Sequence, residues 1–115
     1  MTRRLPLAVL VAVATLVLGG CGHSWDWKQA DLDRNRLNLG LFRGADTGEK
    51  LGSWVRVGEV VDSKGSRSSD DLEVVVRYER EVGEPFGTPG TERVCYRFTP
   101  ATDGAEVDFG RTDCP

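Results

Sequence analysis

Histidine, cysteine and lysine are scarce in this chain, and each shortage excludes something. His23 is the only histidine and lies two residues after Cys21, the expected anchor, so neither a Ser/His/Asp triad nor a multi-histidine metal site is expected within the fold. Three cysteines cannot furnish a four-cysteine zinc site, and they leave one over after any disulfide. Lysines number 3 against 12 arginines, and acids outnumber bases by 18 to 15. A basic stripe able to neutralise phosphates is therefore missing, and with it the expectation of nucleic-acid binding. No phosphate loop, calcium loop or internal repeat occurs, and nothing calls for a cofactor. The longest apolar stretch, residues 5–18, is 14 residues. As a helix it would span ~21 Å, short of the ~30 Å hydrocarbon core of a bilayer.

That short stretch has the layout of an export signal. Thr2, Arg3 and Arg4 supply a basic start, the uncharged run follows, and Gly19 and Gly20 close it. Leu18-Gly19-Gly20-Cys21 resembles the lipobox of bacterial lipoproteins: an aliphatic residue, two small residues and a cysteine, placed directly after the apolar run. The resemblance implies that residues 1–20 are removed. It also implies that Cys21 carries a diacylglyceryl group holding the protein in the cell membrane, on the extracytoplasmic face. Two acyl chains suffice for firm anchoring, whereas one is marginal. An ordinary signal peptide followed by an unmodified cysteine is the alternative. Thr2-Arg3-Arg4-Leu5 also resembles a twin-arginine signal, although Pro6 departs from the pattern, so the export route stays open.

Without residues 1–20 the chain loses two arginines and no acid, and its formal charge moves from −3 to −5. The remaining 95 residues suit one small domain. We divide them into a lipidated tether, 21–30, and a β-rich domain, 31–115. With Cys21 occupied by lipid, Cys95 and Cys114 form the expected disulfide, of a kind that persists outside the cytoplasm and staples small cores. A catalytic thiol or a metal pair is the sharper alternative, but it lacks a partner histidine or further cysteine.

The mature part reads as mainly β: a small antiparallel sheet with one disulfide and a short N-terminal helix, with α+β as the alternative. Residues 28–36 are charged and without a clean period, and Asp26 is a candidate cap for a short helix. Leu37, Leu39 and Leu41 alternate with Asn38 and Gly40, which suggests a first strand. Residues 53–61 suggest a second, with Gly58 as a bulge or a close approach. Residues 62–71 form a polar loop turning at Lys64-Gly65. The clearest strand covers residues 72–82, where Leu72, Val74, Val76, Tyr78 and Val82 share one parity. Gly/Pro-rich residues 83–91 must turn, and residues 93–99 and 105–109 alternate again.

Charge suggests a register for the first of these hairpins. Glu81 opposite Arg93 would set Arg77 against Arg97, and like charges directly opposed are unfavourable. A shift by two residues, with Glu79 opposite Arg97, removes the clash. For the second hairpin, a tight turn would bring Cys95 to Phe109, so the tail must fold back or the register slip before Cys114 can reach it.

Cys95-Tyr96-Arg97-Phe98, the strand containing Val107, and Cys114-Pro115 resemble the C-terminal part of small actinobacterial lipoproteins and secreted proteins of uncharacterised function. The arginine-rich, Gly-, Val- and Asp-rich composition agrees with a GC-rich genome. The resemblance implies a disulfide-bonded extracytoplasmic domain and no reaction.

Candidate chemistry is sparse. Ser66, Ser68, Ser69, Asp70 and Asp71 gather hydroxyls and carboxylates without a base and read as loop residues. Glu79 and Glu81 lie on a wet face beside arginines and read as solvated charge rather than a glycosidase pair. An enzyme is not expected. The expected function is a lipid-anchored binding or interaction module of the cell envelope, touching an envelope protein or ligand through Trp25, Trp27 and Phe86. The two tryptophans could equally meet the membrane interface or pack on the domain. The alternative is a structural or protective envelope component with no specific ligand.

Overall fold

The computed structural model describes residues 23–83, 90–103 and 106–115. Two helices, α1 (Trp25–Phe42) and α2 (Gly48–Gly52), precede four strands, β1 (Glu59–Lys64), β2 (Glu73–Val82), β3 (Gly90–Pro100) and β4 (Val107–Thr112). The strands form one antiparallel meander in the order β1-β2-β3-β4. Short connections between sequence neighbours admit this pairing and no parallel crossover. The mainly β expectation, with its helix and its single disulfide, therefore holds.

Each end of α1 is fixed by a local device. Ser24 caps the start, its hydroxyl accepting from the Trp27 amide at 3.4 Å, and Asp26 adds an acid to the first turn. At the other end Gly44 takes the left-handed conformation, with φ 93°. Its amide donates to the Leu41 carbonyl at 3.0 Å, and the Ala45 amide donates to the Gly40 carbonyl at 2.9 Å. Those two bonds make a Schellman motif, which satisfies carbonyls the helix itself leaves free.

The residues that α1 buries are Asp26, Ala30, Asp33, Leu37, Gly40 and Leu41. From Asp26 to Gly40 their spacing alternates between four and three, and Leu41 lies four after Leu37, as one helical face requires. Leu37, Leu39 and Leu41 are thus not a strand. Leu37 and Leu41 point into the core from successive turns, and Leu39 points outward. Residues 25–30, inside the span assigned to the tether, form the first turns of this packed helix and bury Asp26 and Ala30.

One face of the sheet receives the helices. Val74, Val76 and Tyr78 from β2, Tyr96 and Phe98 from β3, and Val107 from β4 pack with Ala30, Leu37, Leu41, Leu51 and Leu72 in one buried cluster. Phe109 stacks on Phe98 with centroids 5.7 Å apart, and Tyr78 meets Tyr96 edge-on at 5.9 Å. Such pairs add specificity of position to the area they bury.

Three expectations need correction. The strand expected at 53–61 begins only at Glu59, because the Arg56, Val57 and Gly58 amides are bound to the Asp33 carboxylate instead of to a neighbouring strand. The polar loop accordingly starts after Lys64 rather than at Asp62. The β2–β3 register moves the other way from that expected: Glu79 faces Arg93, Arg80 faces Glu92, and Arg97 faces Val75. Both shifts separate Arg77 from Arg97, but this one sets two opposite-charge pairs directly across the ladder, and Arg97 still reaches Glu73 at 2.9 Å. Gly58 does mark a close approach. A Cβ there would lie 2.7 Å from the Tyr78 ring and against Val76.

Candidate interaction site

Two buried carboxylates organise the domain: Asp33 did not stand out in the sequence, and Asp26 did so only as a helix cap, a place that Ser24 takes. Asp33 is fully buried. Its Oδ1 accepts from the backbone amides of Arg56 at 2.8 Å and Val57 at 2.9 Å, and its Oδ2 from the Gly58 amide at 2.9 Å and the Tyr78 hydroxyl at 2.8 Å. Four donors on one carboxylate satisfy its acceptor capacity and offset the cost of removing it from water. The consequence is mechanical: α1, the segment after α2, and β2 are held at one point. Burial first, and then the charge and hydrogen bond of Asp33, push the Tyr78 hydroxyl far above its ordinary pKa.

Asp26, one heptad earlier, does the same for the other edge of the sheet. Its Oδ2 accepts from the Tyr96 hydroxyl at 2.7 Å and from Arg111 Nε at 2.9 Å, with Arg111 Nη2 at 2.8 Å. Burial alone would raise its pKa. Hydrogen bonds from Tyr96, Ser24 and Arg111 outweigh burial and hold it below the usual carboxylate value. Tyr96 is pushed up by burial and by its bond to Asp26. The Tyr78 and Tyr96 hydroxyls and Arg111 are each committed to a carboxylate of α1, while Asp26 Oδ1 is buried without a hydrogen-bond partner.

Of the residues singled out in the sequence, Cys21 and Phe86 lie outside the described residues. Trp25 and Trp27 are half-buried on the domain. Trp25 Nε1 donates to Glu92 at 3.1 Å, and the Arg80 guanidinium sits 4.9 Å from the Trp25 ring centroid. Trp27 stacks on His23 at 3.9 Å and approaches Phe109 at 5.8 Å. Cys95 and Cys114 are bonded, with Cα atoms 5.1 Å apart. Of the two ways left open for this bridge, a folded-back tail or a slipped register, the register slips: Cys95 faces Thr112, Phe109 is carried on to Phe98, and Cys114 comes within reach. The bridge lies on the side of the sheet away from the helices, and it ties down the C-terminal tail.

That open side is a lattice of ion pairs. Arg77 bridges Glu59 at 2.7 Å and Glu79 at 3.1 Å, and Glu79 also meets Arg93 at 3.0 Å. Glu73 holds Arg97 at 2.9 Å and Lys64 at 3.4 Å. Exposed pairs of this kind add little stability, ~0–1 kcal/mol each, but they leave a face of mixed sign that suits neither a polyanion nor an apolar ligand.

At one end of the face, the loop after β1 and the turn after β3 enclose a cleft of about 570 Å³, lined by Lys64, Arg67, Asp71, Glu73, Thr99 and Asp103 among others. The serine loop borders it. Ser66 Oγ lies 3.1 Å from both Ser68 Oγ and Ser69 Oγ, it accepts from the Ser69 amide at 3.2 Å, and Asp71 Oδ1 accepts from the Ser66 amide at 2.9 Å. These bonds shape a turn.

Among the described residues no cluster of three or more His, Cys, Asp or Glu side chains could hold a metal ion, and no helix is long and apolar enough to cross a membrane. No family profile, curated protein or solved structure matches the chain. Geometry and sequence therefore carry the functional reading between them.

Proposed function

We propose that the protein is a lipid-anchored extracytoplasmic binding module of the cell envelope. The observation that carries this reading is the placement of Leu18-Gly19-Gly20-Cys21 directly after an uncharged apolar run. The Cys95–Cys114 bridge supports it, because disulfides persist outside the reducing cytoplasm. Contact rather than catalysis is favoured by the committed hydrogen bonds of Asp26, Asp33 and Ser66. The polar cleft and the ion-paired sheet face suit a hydrophilic partner.

The expected processing couples two events at Cys21: its thiol is lipidated, and the chain is then cut before it. Labelling growing cells with an alkyne fatty acid tests both at once. The wild-type chain should take up label and migrate as the shorter species, while Cys21→Ala stays unlabelled and uncut. Equal labelling of the two would overturn the reading.

A further inference from the structure

α1 has a second stripe. Lys28, Leu32, Asn35, Leu39 and Phe42 recur at the same alternation of four and three as the buried positions, but on the opposite side of the helix. That side looks away from the sheet. Leu32 is 57% exposed, Leu39 39% and Phe42 86%, and only Val57 and Val82 among the other described residues are large, apolar and exposed. An exposed phenylalanine in line with two leucines is a surface that water disfavours.

Charge around the stripe is one-sided. Lys28 and Arg43 are exposed at its two ends, while Arg36, which borders it, is half-buried with its guanidinium 5.6 Å from the Trp54 ring centroid. The acid at its edge, Asp31, is tied to Arg34 at 2.6 Å. This cationic rim belongs to a chain whose formal charge without residues 1–20 is −5, so it is not a consequence of overall composition. Apolar side chains rimmed by cations are the pattern of a helix lying in the interface of an anionic membrane.

We propose that this face of α1 rests on an anionic phospholipid bilayer and so sets the orientation of the domain on the membrane. The proposal rests on the lipid-anchor reading given above. Only Gly22, His23 and Ser24 separate Cys21 from the first residue of α1, so the helix begins no more than ~14 Å along the chain from the anchored residue. An 18-residue helix is ~27 Å long, so lying flat it brings Leu32, Leu39 and Phe42 to the surface together.

A second copy of the chain is the weaker occupant. A standard protein interface engages ~20–30 residues a side, and this stripe offers three apolar side chains on one helix. A contact that small is weak by itself, and becomes effective when a short tether supplies a high local concentration. The anchor supplies that for the bilayer and not for another chain. With α1 on the bilayer, the open sheet face, the disulfide and the ion-pair lattice are directed away from the membrane, where an envelope partner can meet them.

Photo-crosslinking in the membranes of living cells tests the orientation. The full chain is made with benzoylphenylalanine in place of Leu32, of Phe42, or of Glu81, an exposed residue on the open sheet face, and fatty-acid labelling is read on the same samples. Phospholipid adducts are expected at positions 32 and 42 and not at 81. Lys28→Glu combined with Arg43→Glu should lower the adduct yield at position 42 about tenfold, equivalent to ~1.4 kcal/mol. A crosslink to a second copy, a crosslink to another protein, adducts of equal yield at position 81, or no adduct would each overturn the proposal. A labelled chain without adducts sinks the orientation and leaves the anchor standing. An unlabelled chain sinks the anchor itself, and the orientation with it.

Discussion

Removing the Asp33 carboxylate should be among the most damaging single changes available to this domain. In Asp33→Ala four donors lose their acceptor: the amides of Arg56, Val57 and Gly58 and the Tyr78 hydroxyl. Arg56 and Val57 are exposed residues whose amides can turn to water, whereas Gly58 is half-buried against β2 and Tyr78 is 1% exposed. Two donors therefore bear the main penalty. At ~1–3 kcal/mol for each unsatisfied buried group, the expected loss is about 2–6 kcal/mol, a large share of the ~5–15 kcal/mol that holds a typical domain. Tyr78→Phe removes one of the four bonds and leaves the carboxylate three donors, so its cost should be near 1.5 kcal/mol, the low end for a bond to a charged group. Because the two share a bond, the double variant should cost less than the sum. Urea unfolding under non-reducing conditions gives the free energies, and hydrogen exchange at the Arg56, Val57 and Gly58 amides shows whether the segment is released. A loss below ~1 kcal/mol, or unchanged protection of those amides, would refute the reasoning.

Asp26, whose pKa is held low in the fold, should stabilise it above the unfolded carboxylate value of ~3.9 and stop doing so as pH falls through its lower folded value. The difference in unfolding free energy between wild type and Asp26→Asn should therefore be largest near neutral pH and shrink in acid. A difference that grows in acid would contradict this. Cys114→Ala opens a loop with a sequence separation of 19 and should cost about 3 kcal/mol by the chain-entropy relation, measurable as a lower urea midpoint, with a slope that rises as the unfolded chain expands. Gly58→Ala forces a methyl against the Tyr78 ring and Val76 and should cost ~1–3 kcal/mol as overpacking. A neutral thermal melt for that variant would count against the packing described.

β2 was legible because Val74, Val76 and Tyr78 face the helices while Glu73, Arg77 and Glu79 do not, although Val75 is buried on the other side and Val82, of the inward parity, is exposed. The disulfide was legible by counting. α1 was legible only as a short helix near Asp26 and not in its full extent, because two of the six residues on its buried face are aspartates and one is glycine, which erases the hydrophobic pattern that ordinarily reveals a helix. What remained was the Leu37, Leu39, Leu41 alternation, a coincidence of one inward stripe and one outward stripe. The signal that would have found the helix was Asp26 and Asp33 in line with Ala30 and Leu37 at alternating spacings of four and three. Nothing local announced their partners, since Tyr96 lies 70 residues from Asp26 and Tyr78 lies 45 from Asp33. The β2–β3 register was misjudged because two shifts both separate Arg77 from Arg97, and the charge argument weighed only that repulsion. Glu92 against Arg80 and Glu79 against Arg93 decide between them.

The most direct measurement is mass spectrometry of the N-terminal peptide of protein purified from membranes. The lipid-anchor reading predicts a peptide that begins at Cys21 and carries the mass of a diacylglyceryl group. A peptide beginning at Met1, or an unmodified Cys21, would contradict it.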